Sequence, residues 1–128
     1  MKTILLIDDE ANLRRVITRR LEREGYRALS AESGEEGLRL AETQQPDLIL
    51  LDIMMPKMKG RDVCAHLKAD PKTARIPVIF LTALGLADRI QAGMHEGADD
   101  YLVKPIEPEK LRERIAVCLA RHETPSPS

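Results

Sequence analysis

The sequence predicts an α/β protein with one open, doubly wound sheet of five parallel strands. Five short apolar runs are nearly continuous rather than alternating, which is typical of strands covered on both faces. The longer stretches between these runs carry apolar residues at helical spacing. Alternation of strand and helix implies right-handed crossovers and helices on both faces. Five such units are too few for an eight-stranded barrel.

Each predicted element has its own signal in the sequence. The predicted strands are residues 3–7, 27–31, 48–51, 77–81 and 101–103. The first and last helices are predicted by apolar residues three or four positions apart, namely Leu13, Val16, Ile17 and Leu21, then Leu111, Ile115, Cys118 and Leu119. Ser33 begins a helix that Gln45-Pro46 ends. Gly25 and Gly97 stand where a helix passes into a strand, the usual place for a left-handed cap.

The composition excludes several classes of function. Of the 128 residues, 43% are hydrophobic and 32% are charged, and the net charge is -1. No basic field therefore points to direct nucleic-acid binding or to an anionic membrane surface. One Phe and two Tyr are too few for a base-stacking surface. No apolar run approaches the roughly 18 residues of a membrane span, and the first residues are too few for a signal peptide.

The chain length predicts the number of domains, and the cysteines indicate the cellular compartment. We expect one domain over residues 1–122, followed by a flexible Pro/Ser tail, or the start of a linker, over residues 123–128. Cys64 and Cys118 show no metal-binding or redox spacing, so we expect two reduced thiols in a cytoplasmic protein. His66, His95 and His122 are expected to be solvated on helices.

Polar residues follow four of the predicted strands, at the edge where an open α/β sheet binds its ligands. Asp8 and Asp9 follow the first strand, Asp52 the third, Thr82 the fourth and Lys104 the fifth. Two unit charges 4 Å apart repel by about 4 kcal/mol at an effective dielectric of 20, so three carboxylates need a partner. Mg²⁺ and one lysine would offset them, and the set suits a phosphoryl group. Asp52 ends the central strand and is the predicted nucleophile.

Together these residues resemble the receiver domain of bacterial two-component response regulators, of the kind that includes chemotaxis regulators. The resemblance runs from residue 2 to about residue 121. It rests on the acidic pair Asp8-Asp9, on LDIMMP around Asp52, on Thr82-Ala83 and on ADDYLVKP around Lys104. It implies a flavodoxin-like (βα)5 fold with strand order 2-1-3-4-5.

The resemblance also implies the roles of the metal-binding and phospho-accepting residues. Asp52 would accept a phosphoryl group from a sensor histidine kinase or a phosphotransfer protein. Asp9, Asp52 and the backbone carbonyl of Met54 would hold Mg²⁺, with Asp8 acting mainly through water. Lys104 would pair with a phosphoryl oxygen, and the Lys104-Pro105 bond is typically cis in the family.

A conformational switch is the implied response to phosphorylation. Thr82 would move to bind a phosphoryl oxygen, with Ala83 leaving room beside it, and Tyr101 would turn inward. The helix between the fourth and fifth strands, the fifth strand and the last helix would form the surface that acts on a downstream protein or output domain. Two copies of the chain could also form a homodimer through this surface. The protein would not be a turnover enzyme.

Several alternatives stay open at this point. A haloacid-dehalogenase-like phosphatase would need a DxD nucleophile motif, and an FMN carrier would need a phosphate loop where Asp8-Asp9 stands. A degenerate receiver that is never phosphorylated is the third alternative. The arginines of the first helix form either a solvated face, with pairs such as Glu10–Arg14, or a kinase-docking surface. Asp99-Asp100 is expected to shape the turn into the fifth strand rather than to bind metal.

Overall fold

The computed structural model describes residues 1–83 and 97–123, and its sheet has the predicted architecture. All five strands are parallel and lie in the order β2-β1-β3-β4-β5. Along the chain the elements are β1 (Thr3–Ile7), α1 (Ala11–Arg23), β2 (Arg27–Ala31), α2 (Gly34–Gln44), β3 (Leu48–Asp52), α3 (Gly60–Ala69), β4 (Val78–Ala83), β5 (Asp100–Lys104) and α4 (Pro108–Glu123). The helix predicted between β4 and β5, with His95, and residues 124–128 of the predicted tail lie outside the described residues.

Three strands run further toward their carboxyl ends than the apolar pattern predicts. β3 includes Asp52, β4 continues to Ala83 and β5 includes Lys104. The ladder pairs Asp52 with Leu81 and Ala83 with Lys104, so polar side chains end the strands without ending their hydrogen bonding. The predicted site residues on these strands are therefore held by the sheet itself rather than by loops.

Two apolar layers cover the sheet and hold the strands in place. Because side chains alternate along a strand, Leu5 and Ile7 of β1 face one layer while Ile4 and Leu6 face the other. α2 and α3 cover the first layer, and α1 and α4 cover the second. Each fully buried Leu or Ile side chain contributes about 1.5–3 kcal/mol relative to exposure. The layers thus make the strand ends rigid supports.

The helix boundaries follow from local signals. Ser33 caps α2, since its side-chain oxygen accepts a hydrogen bond from the amide of Glu36 at 3.2 Å. Gln45 ends the same helix in a left-handed conformation, with φ of 47°. Gly25 and Gly97 have φ of 90° and 105°, as their predicted cap positions require. Among the described residues, no helix has both the length and the apolar character that crossing a membrane demands.

Candidate functional site

The carboxyl ends of the central strands bring together the acids and the lysine predicted from the sequence. Lys104 Nζ lies 3.1 Å from Asp8 Oδ2 and 3.4 Å from Asp52 Oδ1. Asp8, Asp9 and Asp52 each offer a carboxylate oxygen, and these oxygens lie within 4.8 Å of one another. We call these four residues the acidic pocket. They come from three strand ends that are up to 96 positions apart in the sequence.

Burial and backbone hydrogen bonds orient the carboxylates of the pocket. Asp8 is 0% exposed and Asp52 is 4% exposed, whereas Asp9 is open to solvent. Asp8 Oδ1 accepts a hydrogen bond from the amide of Glu10 at 2.9 Å. Asp52 Oδ1 accepts one from the amide of Met54 at 3.2 Å. The pocket therefore has two fixed acids inside and one acid at its mouth.

The charges of the pocket are unbalanced. Burial, and then the neighbouring charge of Asp8, raises the pKa of Asp52 to about 6, against the opposing effects of Lys104 and the Met54 amide. Burial alone would lower the pKa of Lys104, but the charges of Asp52 and Asp8 and their hydrogen bonds outweigh burial and raise it. One lysine thus faces three acids, and the pocket favours additional positive charge.

The donor set fits a hard divalent cation. Mg²⁺ binds carboxylate and carbonyl oxygens together with waters, and it usually takes one or two protein carboxylates. The pocket offers three carboxylates, one of them exposed at the mouth where waters have access. Met54 lies in the loop directly after β3 and is exposed, with its amide turned to Asp52. The surplus negative charge makes the pocket suited to a cation rather than to an anion alone.

Thr82 and Tyr101 lie beside the pocket on neighbouring strands. Thr82 is 1% exposed, and its hydroxyl donates to the carbonyl of Ala83 at 3.3 Å, a long hydrogen bond. The register pairs Phe80 with Tyr101 and Thr82 with Val103. Because alternate residues share a face, Thr82 and Tyr101 project from the same side of the sheet. Tyr101 is half-buried against the apolar layer that contains Phe80.

The structure also places at the pocket two residues that the sequence alone does not assign to it. A Cβ atom at Gly60 would lie 2.3 Å from the carbonyl oxygen of Asp52, so only glycine fits under the pocket. Arg14 Nη1 donates to the carbonyl of Asp8 at 2.8 Å, and its Nη2 lies 3.9 Å from Glu32 Oε2. These two contacts turn the Arg14 guanidinium toward the pocket. The sequence does carry a signal for Gly60, because a glycine at the start of a helix indicates close packing. It carries no local signal that Arg14 contacts Asp8.

The Lys104-Pro105 peptide bond, next to the pocket lysine, is cis, as the resemblance implies. Asp99 shapes the start of β5 as predicted, since its carboxylate accepts the Val78 amide at 2.9 Å and its own amide donates to the Val78 carbonyl at 2.8 Å. β2 lies at the edge of the sheet, so residues 31–33 are at the far side from Lys104.

Comparisons with known sequences identify relatives along nearly the whole chain. Residues 4–116 match the family model of the response regulator receiver domain. The chain is 47% identical over 126 residues to the probable transcriptional regulator ycf27 of Cyanophora paradoxa, which covers 98% of this chain and 51% of that protein. It is 40% identical over 127 residues to the alkaline phosphatase synthesis transcriptional regulatory protein PhoP of Bacillus subtilis, covering 99% and 52%. The chain spans about half the length of these curated relatives.

Solved structures show the same fold. A putative response regulator from Chloroflexus aurantiacus has a TM-score of 0.88 and 35% identity, over 94% of this chain and 98% of that one. The receiver domain of the sensor histidine kinase PA1611 from Pseudomonas aeruginosa has a TM-score of 0.84 and 30% identity, over 93% and 98%. That structure holds a magnesium ion coordinated in its active site cleft.

Proposed function

Since the chain belongs to the response regulator receiver family of two-component systems, we propose that it accepts a phosphoryl group on Asp52 and changes conformation in response. The observation that carries the assignment is the position of Asp52. It ends the central strand, it is buried, and it contacts Lys104 within the acidic pocket. Asp8 and Asp9 lie beside it, just beyond the end of β1.

The proposed transfer uses the ionised form of Asp52. Met54 and Lys104 both approach Oδ1, so we assign the attack on phosphorus to Oδ2. A bond forms between this oxygen and phosphorus while the bond from phosphorus to the donor breaks. When the donor is a phosphohistidine, the departing imidazole nitrogen keeps the electron pair and takes a proton from solvent. Lys104 offsets charge on a phosphoryl oxygen during the transfer and in the product.

We propose that Mg²⁺ is the cofactor of this pocket. Asp9, Asp52 and the backbone carbonyl of Met54 would hold it, and Asp8 would act mainly through water. Bound there, the ion supplies positive charge to the phosphoryl oxygens. The support is the carboxylate cluster itself, because three acids against one lysine leave a surplus negative charge that repels phosphate without a cation.

The proposed switch couples Thr82 and Tyr101 to the phosphoryl group. The long bond from Thr82 to the Ala83 carbonyl is weak enough to be exchanged for a charge-assisted one. Tyr101 lines an open pocket of about 600 Å³ between β5 and α4, together with Lys104 and Arg114. Moving a population from 1:99 to 99:1 takes about 5.5 kcal/mol, which a few such bonds can supply.

The remaining parts of the proposal concern partners and context. The donor would be a sensor histidine kinase or a phosphotransfer protein. The signal would pass through β5, α4 and the segment between β4 and β5 to a downstream protein or output domain, or to a homodimer. The receiver unit would comprise residues 1–122, with residues 123–128 as a tail or the start of a linker. The domain would work in the cytoplasm without binding nucleic acid directly, and as a switch rather than a turnover enzyme.

Incubation with Mg²⁺ and a small acyl phosphate tests the acceptor. Intact-mass analysis should show one added phosphoryl group on the wild-type chain and none on Asp52→Asn. Asp62→Asn, which changes an exposed acid of α3, is the matched control and should be modified like the wild type. Equal modification of Asp52→Asn and the wild type would refute the assignment. An unmodified wild type would instead indicate a degenerate receiver.

A further inference from the structure

A second cluster of ligating side chains lies at the opposite, amino edge of the sheet. Asp99, Cys118 and His122 each offer one atom, and these atoms lie within 4.8 Å of one another. Asp99 directly precedes β5, whereas Lys104 of the acidic pocket ends it. Five residues of strand separate the two by about 16 Å. We call Asp99, Cys118 and His122 the mixed-ligand cluster, since it combines oxygen, sulfur and nitrogen.

Backbone hydrogen bonds hold Asp99 in position, and helix α4 holds Cys118 and His122. The amide and the Oδ2 atom of Asp99 both bond the backbone of Val78, which fixes the carboxylate and directs Oδ1 toward the helix. His122 Nε2 lies 3.2 Å from that Oδ1 atom. Cys118 and His122 are four positions apart on α4 and so share one face of it. Backbone bonds of this kind are what orient metal-ligating carboxylates in proteins.

We propose that the mixed-ligand cluster is a site for a borderline transition-metal ion, Zn²⁺ in the first place, bound by Asp99 Oδ1, Cys118 Sγ and His122 Nε2 with water as the fourth ligand. Thiolate, imidazole and carboxylate together are the ligands of Zn²⁺, whereas Mg²⁺ does not take a thiolate. Tetrahedral zinc ligands lie about 3.3–3.7 Å apart, so the cluster closes on an ion through small side-chain rotations. The proposal is independent of the function proposed for Asp52.

Charge and access both suit such an ion. Burial, and then the charge of Asp99, raises the pKa of Cys118 to about 11, so the metal-free protein carries a thiol. Binding releases this proton to solvent, and the thiolate and carboxylate charges then equal the charge of the ion. The His122 side chain is 39% exposed and the Asp99 side chain 24% exposed, so an ion and its water ligand can reach the cluster from solvent.

The alternative is that the Asp99–His122 pair only fastens α4 to the loop before β5. In that case Cys118 is an ordinary buried thiol and no ion binds. The sequence alone predicts this outcome, with Asp99 as a turn residue and His122 solvated. The structure adds that Asp99 and His122 both lie beside Cys118. Because a thiolate bound to a metal ion has its own absorption band, spectroscopy distinguishes a metal site from a structural contact.

Titration of the full chain with Co²⁺ and with Zn²⁺ in excess Mg²⁺ tests the proposal. The excess Mg²⁺ keeps the acidic pocket from competing. One equivalent of Co²⁺ should bind and produce a thiolate-to-metal charge-transfer band in the near ultraviolet, and one equivalent of Zn²⁺ should remove it. Cys118→Ser should abolish the band, and His122→Gln should lower the affinity at least about 10-fold. Cys64→Ser and His66→Gln, which change the same residue types on α3, should behave as the wild type.

Three results would overturn the site. They are no saturable Co²⁺ binding in excess Mg²⁺, a band that survives Cys118→Ser, and binding that Asp9→Asn removes. Far-ultraviolet circular dichroism of each metal-free variant checks the fold. Should the buried Cys118→Ser change unfold the chain, the exposed His122→Gln decides the question through its affinity.

Discussion

The two edges of the sheet collect ionisable side chains in different ways. At the carboxyl edge, Asp8 and Asp52 are buried beside each other, and Lys104 is shared between them. At the amino edge, Asp99 has a backbone partner and a histidine partner, His122, and no second acid in its cluster. The carboxyl edge therefore stores unfavourable electrostatic free energy that a cation or a phosphoryl group can change, whereas at the amino edge Asp99 already has favourable partners and Cys118 remains a neutral thiol until an ion binds.

The largest effects are expected when one metal-binding side chain is replaced at each edge in turn. Asp9→Asn removes a carboxylate from the mouth of the acidic pocket, and we expect Mg²⁺ affinity and the rate of phosphorylation to fall at least about 10- to 100-fold. The Co²⁺ charge-transfer band should persist in this variant. Cys118→Ser should do the reverse. Calorimetric titration with Mg²⁺ and the Co²⁺ spectrum measure both, with Asp62→Asn as the control.

An effect of either variant on both edges would contradict the comparison. It would mean that the strands transmit a change along their whole length, so that the edges form one coupled site. Since a rigid apolar sandwich separates the two replaced side chains, we expect no such coupling.

The next largest effect is expected from replacing Gly60, the glycine that packs against Asp52 under the carboxyl edge. Gly60→Ala would place a Cβ atom 2.3 Å from the Asp52 carbonyl oxygen, which is backbone and cannot turn aside. We expect the free energy of unfolding to fall by about 2–3 kcal/mol and phosphorylation of the folded protein to slow. Chemical denaturation and a phosphorylation time course measure the two effects.

Gly37→Ala is the matched control for this change. Its Cβ atom would lie 2.4 Å from Ile7 Cδ1, the end of a side chain within the core. It should lower stability without slowing phosphorylation of the folded protein. Slowing by both variants to the same extent would show that loss of stability alone is responsible, and that Gly60 has no particular connection with Asp52.

The stored electrostatic free energy predicts a variant that gains stability. In Mg²⁺-free buffer at pH 7.5, Asp52→Asn should raise the free energy of unfolding by about 1–2 kcal/mol, because a neutral side chain replaces a buried charge next to Asp8. Asp99→Asn at the amino edge should bring no gain, since it weakens the contact with His122. Equal changes at the two positions, measured by urea denaturation, would remove the electrostatic distinction between the edges.

The pH dependence of the same pair follows from the direction of the shift. The pKa of Asp52 is about 6 in the folded protein, against 3.8 for an unperturbed Asp, so folding favours its protonated form. The penalty is therefore fully present above about pH 6 and disappears as the pH falls toward 3.8. The advantage of Asp52→Asn over the wild type should shrink between pH 7.5 and pH 4.5. An advantage that grows with acidity would contradict it.

The sequence predicts the carboxyl edge well and the amino edge poorly, for a physical reason. Asp52 and Lys104 each end an apolar strand and Asp8 directly follows one, so parallel topology alone brings them to one edge. Cys118 and His122 meet Asp99 only because α4 docks with one particular rotation. Helical periodicity predicts which face of α4 is apolar, but the residue at the border of that face is decided by tertiary packing.

The smallest effect is expected at the N-cap of α2, a residue that stabilises the fold but does not belong to the acidic pocket. Ser33 follows β2, which is the edge strand, and its side chain accepts a hydrogen bond from the Glu36 amide as the N-cap of α2. Ser33→Ala should lower the free energy of unfolding by about 0.5–1 kcal/mol, because one amide of the first turn of α2 loses its acceptor. Ser33→Asp should restore it, and Ser30→Ala, on the exposed side of β2, should change little. Mg²⁺ affinity should stay constant in all three; a loss in Ser33→Ala would mean that the acidic pocket extends as far as the edge strand.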